Sequence, residues 1–130
     1  MMRLQTKPTI LVVEDDESIG HLLDFMLTRE GFDVRLAVDG RAAHALIAAM
    51  FPPSLVLLDV MLPYADGFEL NMQIRGRSEW SGVPVIMLTG KSQERDIVRA
   101  FEAGVSDYIV KPFQPAEVIA RVKRHIKMAA

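Results

Sequence analysis

The sequence has no cysteine. Disulfides and cysteine-ligated metal centres are therefore excluded, and a reducing cytosol is compatible with the composition. There is no strong charge of either sign. Fifteen Lys and Arg against 17 Asp and Glu leave a net charge of −2, which argues against non-specific nucleic-acid binding by the domain as a whole. There is no long apolar run either. The longest aliphatic stretches, such as residues 55–58, fall far short of the roughly 20 residues needed to cross a bilayer. Residues 1–8 carry Arg3 and Lys7 but lack the apolar segment of a signal peptide. Internal repeats, low-complexity segments and linkers are also missing. The expectation is a soluble, cytoplasmic protein that does not engage a membrane. What remains is an ordinary globular balance, 50% hydrophobic and 25% charged over 130 residues. It fits one domain over residues 1–130, with a core over about residues 9–127.

The apolar pattern switches repeatedly between two periods. Residues 9–13 (TILVV) form a short β-branched run, read as a buried strand. Ile19, Leu22, Leu23, Met26 and Leu27 then recur at helical spacing, and Gly31 suits the C-terminal cap. Residues 34–38 predict a second strand, interrupted by Arg35. Ala43, Leu46, Ile47 and Met50 stripe a second helix, stopped by Pro52-Pro53. Residues 55–58 predict a third strand with Asp59 at its end. Asp66-Gly67 predicts a turn, and Phe68, Leu70 and Ile74 mark a third helix. Residues 76–82 read as loop. Residues 83–88 predict a fourth strand closed by Thr89, and Ile97, Val98 and Phe101 stripe a fourth helix ended by Gly104. Residues 107–110 predict a short fifth strand broken by Lys111-Pro112. Pro115 opens a last helix striped by Val118, Ile119, Val122 and Ile126. Five strand–helix units with short connections and near-continuous apolar strands predict a parallel sheet covered on both faces, a doubly wound α/β domain.

Ligands of such sheets bind beyond the carboxyl ends of the strands, near the point where strand order reverses. The first apolar run ends in Glu14, Asp15 and Asp16, the third in Asp59, the fourth in Thr89 and the fifth in Lys111. Crowded carboxylates repel one another unless a cation relieves them. An oxygen-only set without histidine favours a hard ion such as Mg²⁺ over zinc. Lys111 adds an ammonium and Thr89 a hydroxyl, and with a metal these could hold the oxygens of a phosphoryl group. A carboxylate can itself be the nucleophile, giving an aspartyl phosphate, while the protein positions the groups and neutralises charge. Each residue taken singly has a bland reading: the acidic triplet as a helix cap, Asp59 as a turn residue, Thr89 as a cap, Lys111 as a solvated lysine. The functional reading gains weight because four strand ends carry suitable groups together.

Five stretches carry a family resemblance: ILVVEDDE (10–17), LVLLDVMLPYADG (55–67), PVIMLTG (84–90), AGVSDYIVKPF (103–113) and the closing helix. Their intervals match as well, with 44 residues from Asp15 to Asp59, 30 from Asp59 to Thr89 and 22 from Thr89 to Lys111. Over about residues 9–126 the chain resembles response regulator receiver domains. The resemblance implies a flavodoxin-like fold, a five-stranded parallel sheet of order 2-1-3-4-5 with five helices. It implies that Asp59 accepts a phosphoryl group from a phosphohistidine of a sensor histidine kinase or phosphotransfer protein, with Mg²⁺ as cofactor. The protein would be a signalling switch rather than an enzyme, assisting only its own phosphotransfer and slow autodephosphorylation.

Carried over position by position, Asp15 holds Mg²⁺ directly and Glu14 holds it through water. Asp59 and the backbone carbonyl of Met61 are further ligands. Thr89 is the switch hydroxyl, Lys111 pairs with Asp59 and then with phosphate, and Tyr108 is the aromatic that turns inward when the threonine moves. The Lys111–Pro112 bond is expected cis, and Asp16 is left to helix capping. Phosphorylation would then alter the face made by the fourth helix, fifth strand and last helix. Gly90 stands where alanine is common.

The MLP and YIVKPF stretches are similar to those of receivers attached to winged-helix DNA-binding domains, which often dimerise through that face. Asp107 and Arg121 match one ion pair of that interface, whereas Ile97 occupies a position where a basic residue is usual. The basic end of the last helix (Arg121, Lys123, Arg124, Lys127) reads as a solvated face, with no direct nucleic-acid contact by this domain. The chain is read as a stand-alone receiver or as one cut from a longer regulator. An aspartate-nucleophile phosphatase would need a second aspartate at position 61, where Met61 stands. A flavin-binding relative would need a phosphate loop where Glu14, Asp15 and Asp16 stand. A degenerate receiver is disfavoured by the complete set of Asp15, Asp59, Thr89 and Lys111.

Overall fold

The computed structural model describes residues 7–62, 65–90 and 94–126. Five strands, β1 (Thr9–Val13), β2 (Asp33–Ala37), β3 (Leu55–Asp59), β4 (Val85–Thr89) and β5 (Asp107–Val110), form one parallel sheet of order β2-β1-β3-β4-β5. Five helices alternate with them: α1 (Glu17–Arg29), α2 (Gly40–Ala49), α3 (Gly67–Arg75), α4 (Glu94–Glu102) and α5 (Pro115–His125). A two-residue antiparallel ladder, Met61–Leu62 against Ala65–Asp66, precedes α3. The flavodoxin-like expectation is met in strand order and helix count.

Alternation along each strand divides the core into two layers. Leu11, Val13, Val56, Leu58, Val85 and Met87 face α2, α3 and α4 through Ala43, Ile47, Leu70, Ile74 and Ala100. Their neighbours Ile10, Val12, Leu55, Leu57, Ile86 and Leu88 face α1 and α5 through Leu23, Leu27, Val118 and Val122. Both faces of the central strands are thus covered, which explains their unbroken apolar runs. Each fully buried leucine or isoleucine contributes about 1.5–3 kcal/mol.

Local chemistry sets the element ends. Asp16 caps α1, its side chain accepting from the Ile19 N–H at 3.0 Å, as expected for this residue. Gly31 and Gly104 follow α1 and α4 at φ 96° and 90°, a conformation that favours glycine. The Lys111–Pro112 bond is cis.

Three expectations shift. Asp66 is the N-cap of α3 and Gly67 its first residue, so the predicted turn is the helix start itself. β4 begins at Val85 instead of residue 83, because Pro84 has no N–H for the ladder and serves only as an acceptor, from Val56 N–H at 3.0 Å. The stretch read as loop contains a 3₁₀ turn, Ser78–Trp80, whose Trp80 is fully buried. Among the described residues no helix is long and apolar enough to cross a membrane.

Candidate functional site

The carboxyl ends of β1 and β3 meet where the chain order reverses across the sheet, the position at which this architecture leaves a crevice. Glu14 continues the β1 ladder, its N–H donating to the Ala37 carbonyl at 3.0 Å. Its side chain is consequently buried, with only 1% of the residue exposed. One carboxylate oxygen accepts from the Asp16 N–H at 3.1 Å and the other from Lys111 Nζ at 2.6 Å. Asp15, by contrast, is exposed.

Asp59 closes β3 and is 5% exposed. Its Oδ1 accepts from the Met61 N–H at 3.1 Å, and its Oδ2 lies 3.2 Å from Lys111 Nζ. Thr89 closes β4 and is buried. Its carbonyl accepts from the Lys111 N–H at 2.8 Å, which extends the β4–β5 ladder and carries the lysine to the site. Tyr108 lies inward, 9% exposed, in the same apolar cluster as Ala100 of α4. Burial holds its phenol above the usual pKa, opposed by a hydrogen bond with Thr89.

The electrostatics follow from this packing. Glu14, Asp15 and Asp59 can each place one carboxylate oxygen within 4.8 Å of the others. Among the described residues a single ammonium, Lys111, reaches two of them. Burial pushes the Glu14 carboxyl up to about 7; the Lys111 hydrogen bond opposes this and Asp59 reinforces it. Burial also disfavours the Lys111 ammonium, but Glu14 and Asp59 together outweigh it and hold its pKa above the ordinary lysine range. Among the described residues, the site therefore has more negative charge than Lys111 alone neutralises. An oxygen-only donor set with surplus negative charge fits a hard divalent cation such as Mg²⁺.

Glu14, Asp15, Asp59 and Lys111 thus converge, with Thr89 and Tyr108 joined to each other on the adjacent strands. Met61 is exposed beside them. The shorter contact of Lys111 is with Glu14, whereas the family resemblance implies pairing with Asp59. Asp107 and Arg121, matched to an interface pair, here bond within one chain at 2.7 Å, and His125 adds a third partner at 3.1 Å. Ile97, found where a basic residue is usual, packs half-buried against the α2–α3–α4 layer.

Gly67, which the sequence marks only as part of a turn, is a feature of the site. Its N–H donates to the Val60 carbonyl at 2.8 Å, bringing the start of α3 onto the backbone of the Asp59 loop. A Cβ at this position would lie 2.6 Å from the Asp59 carbonyl oxygen and 2.7 Å from Val60 Cα, both rigid backbone. Gly67→Ala should therefore cost about 1–3 kcal/mol, measured as a lowered melting temperature. Gly82→Ala, with nothing within 4 Å, should leave stability nearly unchanged. A DG pair beside a strand end was the available signal, but it is shared by ordinary turns.

Comparison with known proteins agrees with this geometry. The family model described as "Response regulator receiver domain" matches residues 10–123. The curated DNA-binding dual master transcriptional regulator RpaA of Synechocystis sp. is 40% identical over 116 residues, which are 89% of this chain and 48% of that protein. The chain thus spans about half the length of this relative. The chemotaxis response regulator CheY4 of Vibrio cholerae superimposes with a TM-score of 0.87 at 28% identity, covering 93% of this chain and all of that one. The BeF3-activated DrrB receiver domain gives 0.80 at 32% identity, covering 92% of this chain and 97% of the other. A family match across nearly the whole fold, over a sheet edge that gathers the acidic, hydroxyl and ammonium groups in one place, makes this chain a member of the response regulator receiver domain family.

Proposed function

We propose that Asp59 is the phosphoryl acceptor of this receiver and that the chain takes the group from a phosphohistidine of a sensor histidine kinase or phosphotransfer protein. An Asp59 carboxylate oxygen attacks phosphorus, the O–P bond forms as the N–P bond breaks, and the released imidazole nitrogen takes a proton. The observation that supports this best is the shared ammonium: Lys111 lies 2.6 Å from Glu14 and 3.2 Å from Asp59, so it can follow the negative charge from carboxylate to phosphoryl oxygens. Glu14, Asp15, Asp59 and the Met61 carbonyl would hold Mg²⁺, with Glu14 acting through water because its two oxygens already accept from Lys111 and Asp16. When bound, the ion supplies charge neutralisation for the phosphoryl oxygens.

Phosphate adds about two negative charges and several acceptors. Thr89 and Lys111 are placed to answer them, and Thr89 is already joined to Tyr108, so occupancy at Asp59 biases the packing of β5 and its flanking helices α4 and α5. That face is the proposed output surface in the cytoplasm, including pairing with a second copy. No nucleic-acid contact by this domain is proposed. The DNA-binding activity in the name of the Synechocystis relative belongs to a protein twice this length, and a longer regulator of that kind is the proposed context.

Beryllofluoride with Mg²⁺, which stands in for the phosphoryl group, tests the site directly. Saturable binding in titration calorimetry that disappears on chelation of Mg²⁺ is expected, and no binding would sink the reading. A pH dependence follows as well. Glu14 releases its proton near pH 7, so apparent Mg²⁺ affinity should rise between about pH 6 and pH 8 and level off above that range. A flat profile over that range would remove Glu14 from the ion's environment.

A further inference from the structure

The first turn of α3 touches two parts of the molecule that such a switch must keep in step. On one side Gly67 lies on the backbone of Asp59 and Val60. On the other, the next residue, Phe68, carries the guanidinium of Arg99 from α4 at 3.8 Å from its ring centroid. That distance is a close cation–π contact, with the guanidinium carbon over the ring face. Phe68 is half-buried against the α2–α3–α4 layer, while Arg99 is exposed. The contact lies at the rim of that layer and joins α4 to the turn that follows the acceptor loop. The same layer contains Ala100, the neighbour of Arg99, together with Tyr108.

We propose that the Arg99–Phe68 contact is a coupling clamp. It holds α4 in the arrangement in which Tyr108 is inward and joined to Thr89, and it thereby raises the affinity of the Asp59 site for a phosphoryl group. The inference rests on the phosphoryl-switch reading and adds a second mechanical connection to it, separate from Thr89 and Tyr108. Coupling of this kind is reciprocal: if occupancy at Asp59 favours the clamped arrangement, the clamp favours occupancy to the same degree.

Beryllofluoride binding in the presence of Mg²⁺, measured by calorimetry on the folded chain, tests it. Arg99→Gln should weaken binding about three-fold, the scale of one exposed cation–π contact. Phe68→Leu should do the same, and the double variant should be no worse than either alone. Arg99→Lys, which keeps a cation over the ring, should recover most of the affinity. Arg35→Gln, which breaks an exposed ion pair with Asp33 within β2 at 3.8 Å, away from the switch face, should bind as the unaltered chain does. This separates coupling from a general loss of stability. Unaltered binding in Arg99→Gln, or an equal further loss when it is added to Phe68→Leu, overturns the clamp while leaving the site reading intact. Failure of the unaltered chain to bind overturns both.

Discussion

Asp59→Asn should abolish covalent phosphorylation and at the same time raise thermal stability at neutral pH. The substitution keeps the shape of the side chain and removes both the nucleophilic oxygen and one negative charge. Phosphoryl transfer then has no acceptor, so the expected loss is complete. The stability gain comes from Glu14. Its carboxyl is pushed up to about 7, first by burial and then, against Lys111, by Asp59. A carboxyl whose folded pKa lies above its unfolded value of 4.5 gives stability that is fully present below that unfolded value and is lost as pH rises through the folded one. Removing the Asp59 charge lowers the folded pKa of Glu14 and reduces that loss. Melting temperatures of the two proteins should therefore diverge between about pH 5 and pH 8, with Asp59→Asn the higher. Coincident curves across that range would contradict the electrostatic account even if phosphorylation were lost.

Lys111→Met should have the opposite effect on stability. Among the described residues, the lysine is the one ammonium that reaches the buried carboxylates Glu14 and Asp59. Removing one partner of a buried ion pair costs about 3–5 kcal/mol, because the remaining charge is left uncompensated. The Lys111 side chain retains 20% exposure, which places the expected loss near the lower end, about 3 kcal/mol or roughly 10 °C in melting temperature. The pH dependence has a definite sign. Without the ammonium the Glu14 carboxyl rises further, so the deficit should be small near pH 4.5 and grow towards pH 8. Added Mg²⁺ should recover part of it, since a dication can take over the neutralising role. Phosphorylation by acetyl phosphate should slow about a hundred-fold, the scale of removing one donor from a developing anion. A variant as stable as the parent at pH 8 would show that the ion pair contributes nothing measurable.

The architecture was legible because both of its determinants are written locally. Short unbroken apolar runs such as TILVV and LVLL, with their β-branched residues and flanking turn residues, read as strands covered on both faces, and the stripes between them repeat at helical spacing. The sheet edge carrying the site was legible for the same reason: wherever an apolar run stops, the residue just past it lies at the rim. What stayed hidden depends on distance between elements. Nothing in Glu14 itself announces that a strand continuation would bury it and bring it closer to Lys111 than Asp59 is. Trp80 sat inside a stretch of glycine, serine and arginine that reads as loop, and only the packed layer shows that its ring is core. Asp107 and Arg121 were matched as partners across an interface, yet the turn of α5 brings Arg121 and His125 back over β5 to meet the same carboxylate. The clearance at Gly67 and the contact of Arg99 with Phe68 likewise exist only once α3 has docked.

The most direct measurement of the central claim is the intact mass of the chain after incubation with acetyl phosphate and Mg²⁺, followed by peptide mapping. The account predicts one phosphoryl group per chain, carried on Asp59, released by hydroxylamine as an acyl phosphate should be, and missing when Mg²⁺ is chelated. No added phosphoryl mass under conditions that label another receiver domain, or a phosphoryl group that persists in Asp59→Asn, would contradict it.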